Sequence, residues 1–143
     1  MSIQVAITER PRLSWYRRPA PLLAVGLARL LAGRSPARIR RVLVALRTGA
    51  RPATAAEAAV ARAAVVAVSV RCAGEGCVQR AIAVALLCRL HGAWPTWCSG
   101  IRMNPFMAHA WVEVDGAPVD EPYPAGYHRA LITVPPPDRS GRR

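Results

Sequence analysis

The chain has 143 residues, 52% of them hydrophobic, enough for one domain whose core needs neither disulfides nor a structural metal. No apolar run approaches the ~20 residues of a membrane span, and the opening MSIQVAITERPRL carries an acid and prolines where a secretory signal has its apolar core. The formal net charge of +12 is uneven, since residues 1–73 hold thirteen arginines against Glu9 and Glu57 while residues 74–143 hold seven against six acids, a pattern that fits an acidic partner or a solvated basic face.

Helical signals fill the first ninety residues. Pro21 to Leu31 is an apolar run stopped by Gly33. Ser35-Pro36 then supplies an N-cap followed by proline at the first helical position, and Ile39, Val42, Leu43 and Leu46 recur at i, i+3, i+4 and i+7. Arg38, Arg40, Arg41 and Arg47 lie largely off that stripe, so this helix has a basic outer face, closed by Gly49. Thr54-Ala-Ala-Glu57 is a capping box, and the Ala/Val-rich helix that it opens, to about Val70, is apolar nearly all round and expected to be buried.

The glycine-containing RCAGEG breaks the pattern at residues 71–76, and a fourth helix runs from Cys77 to about Leu90, where Gly92 stops it. The period then changes to that of strands. Trp94–Ile101 and Ala108–Val114 are separated by the turn-like Asn104-Pro105, and Asp115-Gly116 marks a hairpin with Ala117–Asp120 as its return strand. From Pro122 onward the prolines and tyrosines indicate irregular chain, with PPPDRSGRR disordered. Helices followed by an antiparallel meander give an α+β fold in one domain of residues 1–143, divided into a helical region (1–70), a core (71–130) and a disordered tail (131–143).

Cytoplasmic placement is expected from the absence of a signal, and in a reducing compartment Cys72, Cys77, Cys88 and Cys98 are free thiols, metal ligands or catalysts rather than staples. Of the four, Cys77 alone opens a helix, where unpaired N–H groups and the helix dipole favour a thiolate. Cys88 is eleven residues further along the same helix, roughly 16 Å away. No matching second pair follows Cys72-x4-Cys77, so neither a metal nor another cofactor is expected. Trp94, Trp97 and Trp111 could stack nucleotides, but no nucleic-acid-binding signature accompanies them and they are read as core and pocket walls.

A reactive cysteine needs a base, and His109 is chosen over His91, at the far end of the cysteine's own helix, and His128, in the irregular tail. Strand alternation puts His109, Trp111 and Glu113 on one face. If Asp115-Gly116 is a two-residue turn, Asp120 comes opposite Trp111 and diagonal to His109, about 7–8 Å between backbones, with Glu121 on the opposite face. A longer turn would change that register, so the acid depends on the turn as Cys77 and His109 do not.

GCVQRAIAVALLCRLHG followed by AHAWVEVDGAPVD resembles the transglutaminase-like cysteine proteases of lasso-peptide biosynthesis, the stand-alone leader peptidases of bacterial gene clusters. The resemblance implies a papain-like or transglutaminase-like core and places the nucleophile on Cys77, the histidine on His109 and the acid on Asp120, with Glu121 as the fallback because PVDE departs from the Asn-Asp pairing of that position. It further implies three partners: a ribosomally made precursor peptide, a separate leader-recognition protein and an ATP-dependent cyclase that closes the released core. The same three residues can also run acyl transfer to an amine or deamidation. A non-catalytic basic binding module is the reading from another class.

Overall fold

The computed structural model describes residues 12–138. The opening segment read above for the absence of a signal, and the last residues of the expected tail, lie outside the described residues. A single 3-10 turn at Trp15–Arg17 leads into α1 (Pro19–Ala32), α2 (Pro36–Leu46), α3 (Ala55–Val68), the short α4 (Val70–Ala73) and α5 (Cys77–Leu90). The strands are β1 (Arg51–Pro52), β2 (Ala93–Trp94), β3 (Thr96–Arg102), β4 (Met107–Val114), β5 (Ala117–Pro118) and β6 (Arg129–Val134). The fold is α+β, as the order of periodicities indicates.

Local chemistry sets most of the boundaries. The Oγ of Ser35 accepts from the Arg38 N–H and Oγ1 of Thr54 accepts from the Glu57 N–H at 3.1 Å, so α2 and α3 begin where their caps sit. Gly49 and Gly92, with φ of +80° and +78°, take the left-handed backbone that ends a helix at no steric cost. α5 is the central helix. Its alanines Ala81 and Ala85 are buried, as are Ala24 and Ala28 of α1, and these small residues belong to one apolar core shared by α1, α3, α5 and the sheet. The Gln79 side chain adds a hydrogen bond to the Val25 carbonyl.

Three expectations fail here. The break expected at residues 71–76 begins with a short helix, α4, at Val70–Ala73. α3 is not buried all round: Ala58, Ala61, Arg62, Val65 and Val66 face inward, while Val60 is 70% exposed. Nor is the chain after Pro122 irregular throughout, for Arg129–Val134 forms β6, which covers the start of the segment expected to be a disordered tail. Ile132 and Val134 turn inward and Leu131 and Thr133 outward, a period of two that the surrounding prolines mask.

The antiparallel sheet has the order β5-β4-β3-β6. Asp115 and Gly116 both have positive φ, and Val114 pairs with Ala117, so the hairpin closes through a two-residue turn of the kind that matches strand twist. On the other side β6 pairs with β3 and the register slips between Ser99 and Gly100. A side chain on Gly100 would run into the backbone carbonyl of Arg129, so β6 approaches as closely as it does because residue 100 has no Cβ. β1 and β2 form a separate two-stranded parallel pair. Trp94, fully buried, donates its indole N–H to the Val134 carbonyl at 3.0 Å and ties β2 to β6. Trp97 and Trp111 are buried too, which fits walls and core rather than a nucleotide-stacking platform. Among the described residues no helix is long and apolar enough to cross a membrane.

Candidate active site

Cys77 stands at the first position of α5, behind a turn that the sequence shapes closely. A Cβ on Gly76 would lie 2.8 Å from the Arg71 carbonyl, so a larger residue there would have to shift the loop. Arg80, one turn into α5 and buried, donates from Nη1 to the carbonyls of Cys72 (2.8 Å) and Gly74 (3.3 Å). The guanidinium thus holds the loop against the helix, and its bond to the Cys72 carbonyl satisfies a buried acceptor. The Cys77 N–H donates to the Glu75 carbonyl at 2.9 Å.

The four thiols differ sharply. Cys72, Cys88 and Cys98 are buried and Cys77 is partly exposed. Burial raises Cys72 and Cys98 and pushes Cys88 up to about 12. Burial also acts against a thiolate at Cys77, but a hydrogen bond with His109, one from the Ala110 backbone N–H, and the charges of His109 and Arg80 outweigh it, so this thiol lies below its ordinary range.

His109 is in β4, opposite Gly100 of β3. Its Nε2–H donates to Oε2 of Glu121 at 2.9 Å, which leaves Nδ1 as the ring nitrogen available to Cys77. Burial opposes the charged ring, yet the hydrogen bonds to Cys77 and Glu121 raise its pKa to about 9. Both side chains of the carboxylate–imidazole pair are shielded, 12% exposed for His109 and 5% for Glu121. Oε1 of Glu121 lies 3.8 Å from the guanidinium of Arg62, on the inward face of α3. A buried carboxylate is thereby matched by two cationic groups, as burial of charge requires.

The acid beside His109 is therefore Glu121 and not Asp120. The register inferred from the two-residue turn is correct as far as Val119, whose N–H donates to the Val112 carbonyl at 3.0 Å. Alternation stops at the next residue: Asp120 has φ of +48°, β5 has already ended at Pro118, and the left-handed step leaves Asp120 exposed while turning Glu121 inward. Asp120 lines the rim of the cleft instead. His91, at the C-terminal end of α5, engages the Leu87 carbonyl through Nδ1 and is remote from the cysteine.

The cleft holds about 530 Å³ and is bordered by Cys77, His109, Glu121, Gly74, Phe106 and Tyr123. A smaller pocket of about 260 Å³ shares His109, Glu121 and Tyr123 with it and extends to Trp111 and His128. His128 is the residue that the sequence reading passed over. It is buried and its ring stacks on that of His109 at 4.9 Å. The signal was the β6 run that starts at Arg129, which fixes the position of the residue before it.

A partly exposed thiol with its pKa depressed, paired with an imidazole held by a buried carboxylate, can form a thiolate–imidazolium pair near neutral pH and attack a carbonyl carbon. No curated protein and no solved structure matches the chain. The family model described as Transglutaminase-like superfamily matches residues 21–133, from α1 into β6, and the superfamily includes cysteine peptidases and acyltransferases. The chain belongs to the Transglutaminase-like superfamily.

Proposed function

We propose that this protein is a cysteine peptidase that removes the leader from a ribosomally made lasso-peptide precursor. The observation that carries the reading is the pairing of Cys77 with a histidine whose other nitrogen is held by a buried carboxylate. In this proposal the Cys77 thiolate attacks the scissile carbonyl, the His109 imidazolium protonates the leaving amine, and Glu121 fixes the ring and its charge. His109 then takes a proton from water as the acyl-enzyme is hydrolysed. The oxyanion is met by backbone N–H groups at the head of α5. Because the Cys77 N–H donates to Glu75 in the resting structure, the Gly74–Gly76 turn must release that bond if this N–H is to serve.

The enzyme works in the cytoplasm as one domain, receives the leader from a separate recognition protein, and leaves the core for an ATP-dependent cyclase. The resemblance of GCVQRAIAVALLCRLHG and AHAWVEVDGAPVD to the leader peptidases supports this assignment of substrate. The decisive test combines the protein, the recognition protein and the precursor encoded beside it, and weighs the products. Leader and core whose masses sum to precursor plus one water are expected. An intact precursor, or a product joined to an added amine in place of water, overturns the peptidase reading, and the second outcome selects acyl transfer.

A further inference from the structure

His109 is enclosed by rings as well as by hydrogen bonds. Trp111, two residues along β4, lies parallel to it at 5.9 Å and 10°, Tyr123 meets it edge-on at 5.7 Å, and His128 stacks on it at 4.9 Å and 28°. His128 also contacts Trp111 at 5.7 Å, and Tyr123 and Tyr127 edge-on at 5.0 Å each. Tyr127 in turn stacks on Tyr123 at 4.6 Å and carries the guanidinium of Arg102 over its outer face at 3.9 Å. The cage is thus continuous from the His109 ring to β3.

The Nε2 of His128 is buried without a hydrogen-bond partner among the described residues. An unpaired buried nitrogen costs free energy. Toward His109 the ring presents its aromatic face, and His109 carries positive charge in the reactive state. β6 brings that face into place, since His128 immediately precedes it and the strand reaches β3 closely only because Gly100 lacks a Cβ. The groups that face His128 are His109 on β4, Arg102 on β3, and Glu121, Tyr123 and Tyr127 on the loop before β6. Burial first, then His109 and Arg102, disfavours its protonated form, with Glu121 acting the other way.

We infer that His128 is a positioning residue for His109: its neutral ring, stacked on the imidazolium, holds the plane in which one nitrogen meets Cys77 and the other meets Glu121. Stacking of this kind favours the charged ring electrostatically and restricts its rotation. The inference rests on the reading of Cys77 and His109 as the reactive pair.

The test reads the pair without any peptidase substrate. Alkylation of Cys77 by iodoacetamide is followed from pH 4 to 10 in the full chain and in His128→Phe and His128→Leu, with thermal unfolding as the check on folding. The wild-type rate should reach its plateau below the ordinary thiol range. His128→Leu fills the same space without a π-face and should move the midpoint up by about one pH unit, a roughly fivefold loss of thiolate at the wild-type midpoint. His128→Phe should restore the wild-type profile to within about threefold, since a ring rather than a nitrogen is needed.

A folded His128→Leu with the wild-type profile overturns the role of His128, as does a His128→Phe that matches His128→Leu. If His128→Leu does not fold, NMR of the wild-type chain decides: a nuclear Overhauser contact between the two imidazole rings is expected, and its absence refutes the stack. A wild-type Cys77 that alkylates like an ordinary thiol refutes the reactive pair itself, so the two failures are distinguishable.

Discussion

On α2, Arg38, Arg40 and Arg41 stand in solvent, whereas around His109 the charged side chains Arg62, Arg80 and Glu121 are shielded and each faces a carboxylate, a guanidinium or a row of carbonyls. Water supports the first set at little cost, and only well-placed partners can support the second. The difference teaches where the molecule needs fixed geometry. A substitution on α2 should change how fast something arrives, and one beside His109 should change what happens once it is there.

The largest break in that contrast comes from the nucleophile. Cys77→Ala should lower precursor cleavage by at least about a thousandfold with an unchanged fold, and Cys88→Ala, a buried thiol on the same helix, should retain cleavage within a few-fold. Equal losses would show that α5 matters only as scaffold.

Next in size is the acid. Glu121→Gln keeps the shape and removes the charge between His109 and Arg62, and should reduce turnover by roughly 10²–10⁴-fold. Asp120→Asn, at an exposed left-handed position that asparagine tolerates, should stay within about threefold. The reverse order in a kinetic comparison of the two variants would return the acid to Asp120.

That pair of residues also marks the limit of what the sequence carries. Both ends of α2, the start of α3 and the end of α5 are legible because Ser35, Thr54, Gly49 and Gly92 are local signals acting on adjacent backbone. The hairpin is legible for the same reason, down to its register. A left-handed aspartate is not, because aspartate takes that conformation only when its surroundings require it, and one such residue swaps the side chain that faces His109. β6 and the two-residue β1–β2 pair escape notice because their partners are distant in sequence and prolines flank or occupy them. Cys77 and His109 are legible as chemistry, but the closure of His128 over His109 depends on β6.

The pH dependence should be of intermediate size. With Cys77 below the ordinary thiol range and His109 raised to about 9, the ion pair is populated between the two. Cleavage should rise as pH passes the lowered thiol value and fall again near pH 9. His109 gains affinity for its proton on folding, so its contribution to stability is full below the unfolded value of about 6.5 and is lost as pH rises through about 9. The buried thiols Cys72, Cys88 and Cys98, also raised, act in the same direction and Cys77, lowered, in the opposite one. Thermal unfolding followed from pH 6 to 10 should therefore show a lower midpoint at the alkaline end. A stability that climbs over that range would contradict the raised pKa.

The smallest effect belongs to α2. Arg47 is not part of its free face, for its Nη1 donates to the Pro135 carbonyl at 2.6 Å. Changing Arg38, Arg40 and Arg41 to glutamate should slow partner-dependent cleavage by roughly three- to tenfold at low salt through weaker long-range attraction. Alkylation of Cys77 should be unaltered. Stopped-flow association at two ionic strengths checks this, and a variant that associates at the wild-type rate under both reduces these arginines to a solvated surface.

The unequal thiols have a practical corollary. Three of the four cysteines are sealed in the interior, with their ionisation displaced upward by burial, and one is open and already inclined to ionise. A haloacetamide at mildly acidic pH should then consume one equivalent per folded chain and stop. That stoichiometry turns a simple mass measurement into a census of competent molecules, so that preparations can be compared by the fraction able to react before any precursor is in hand.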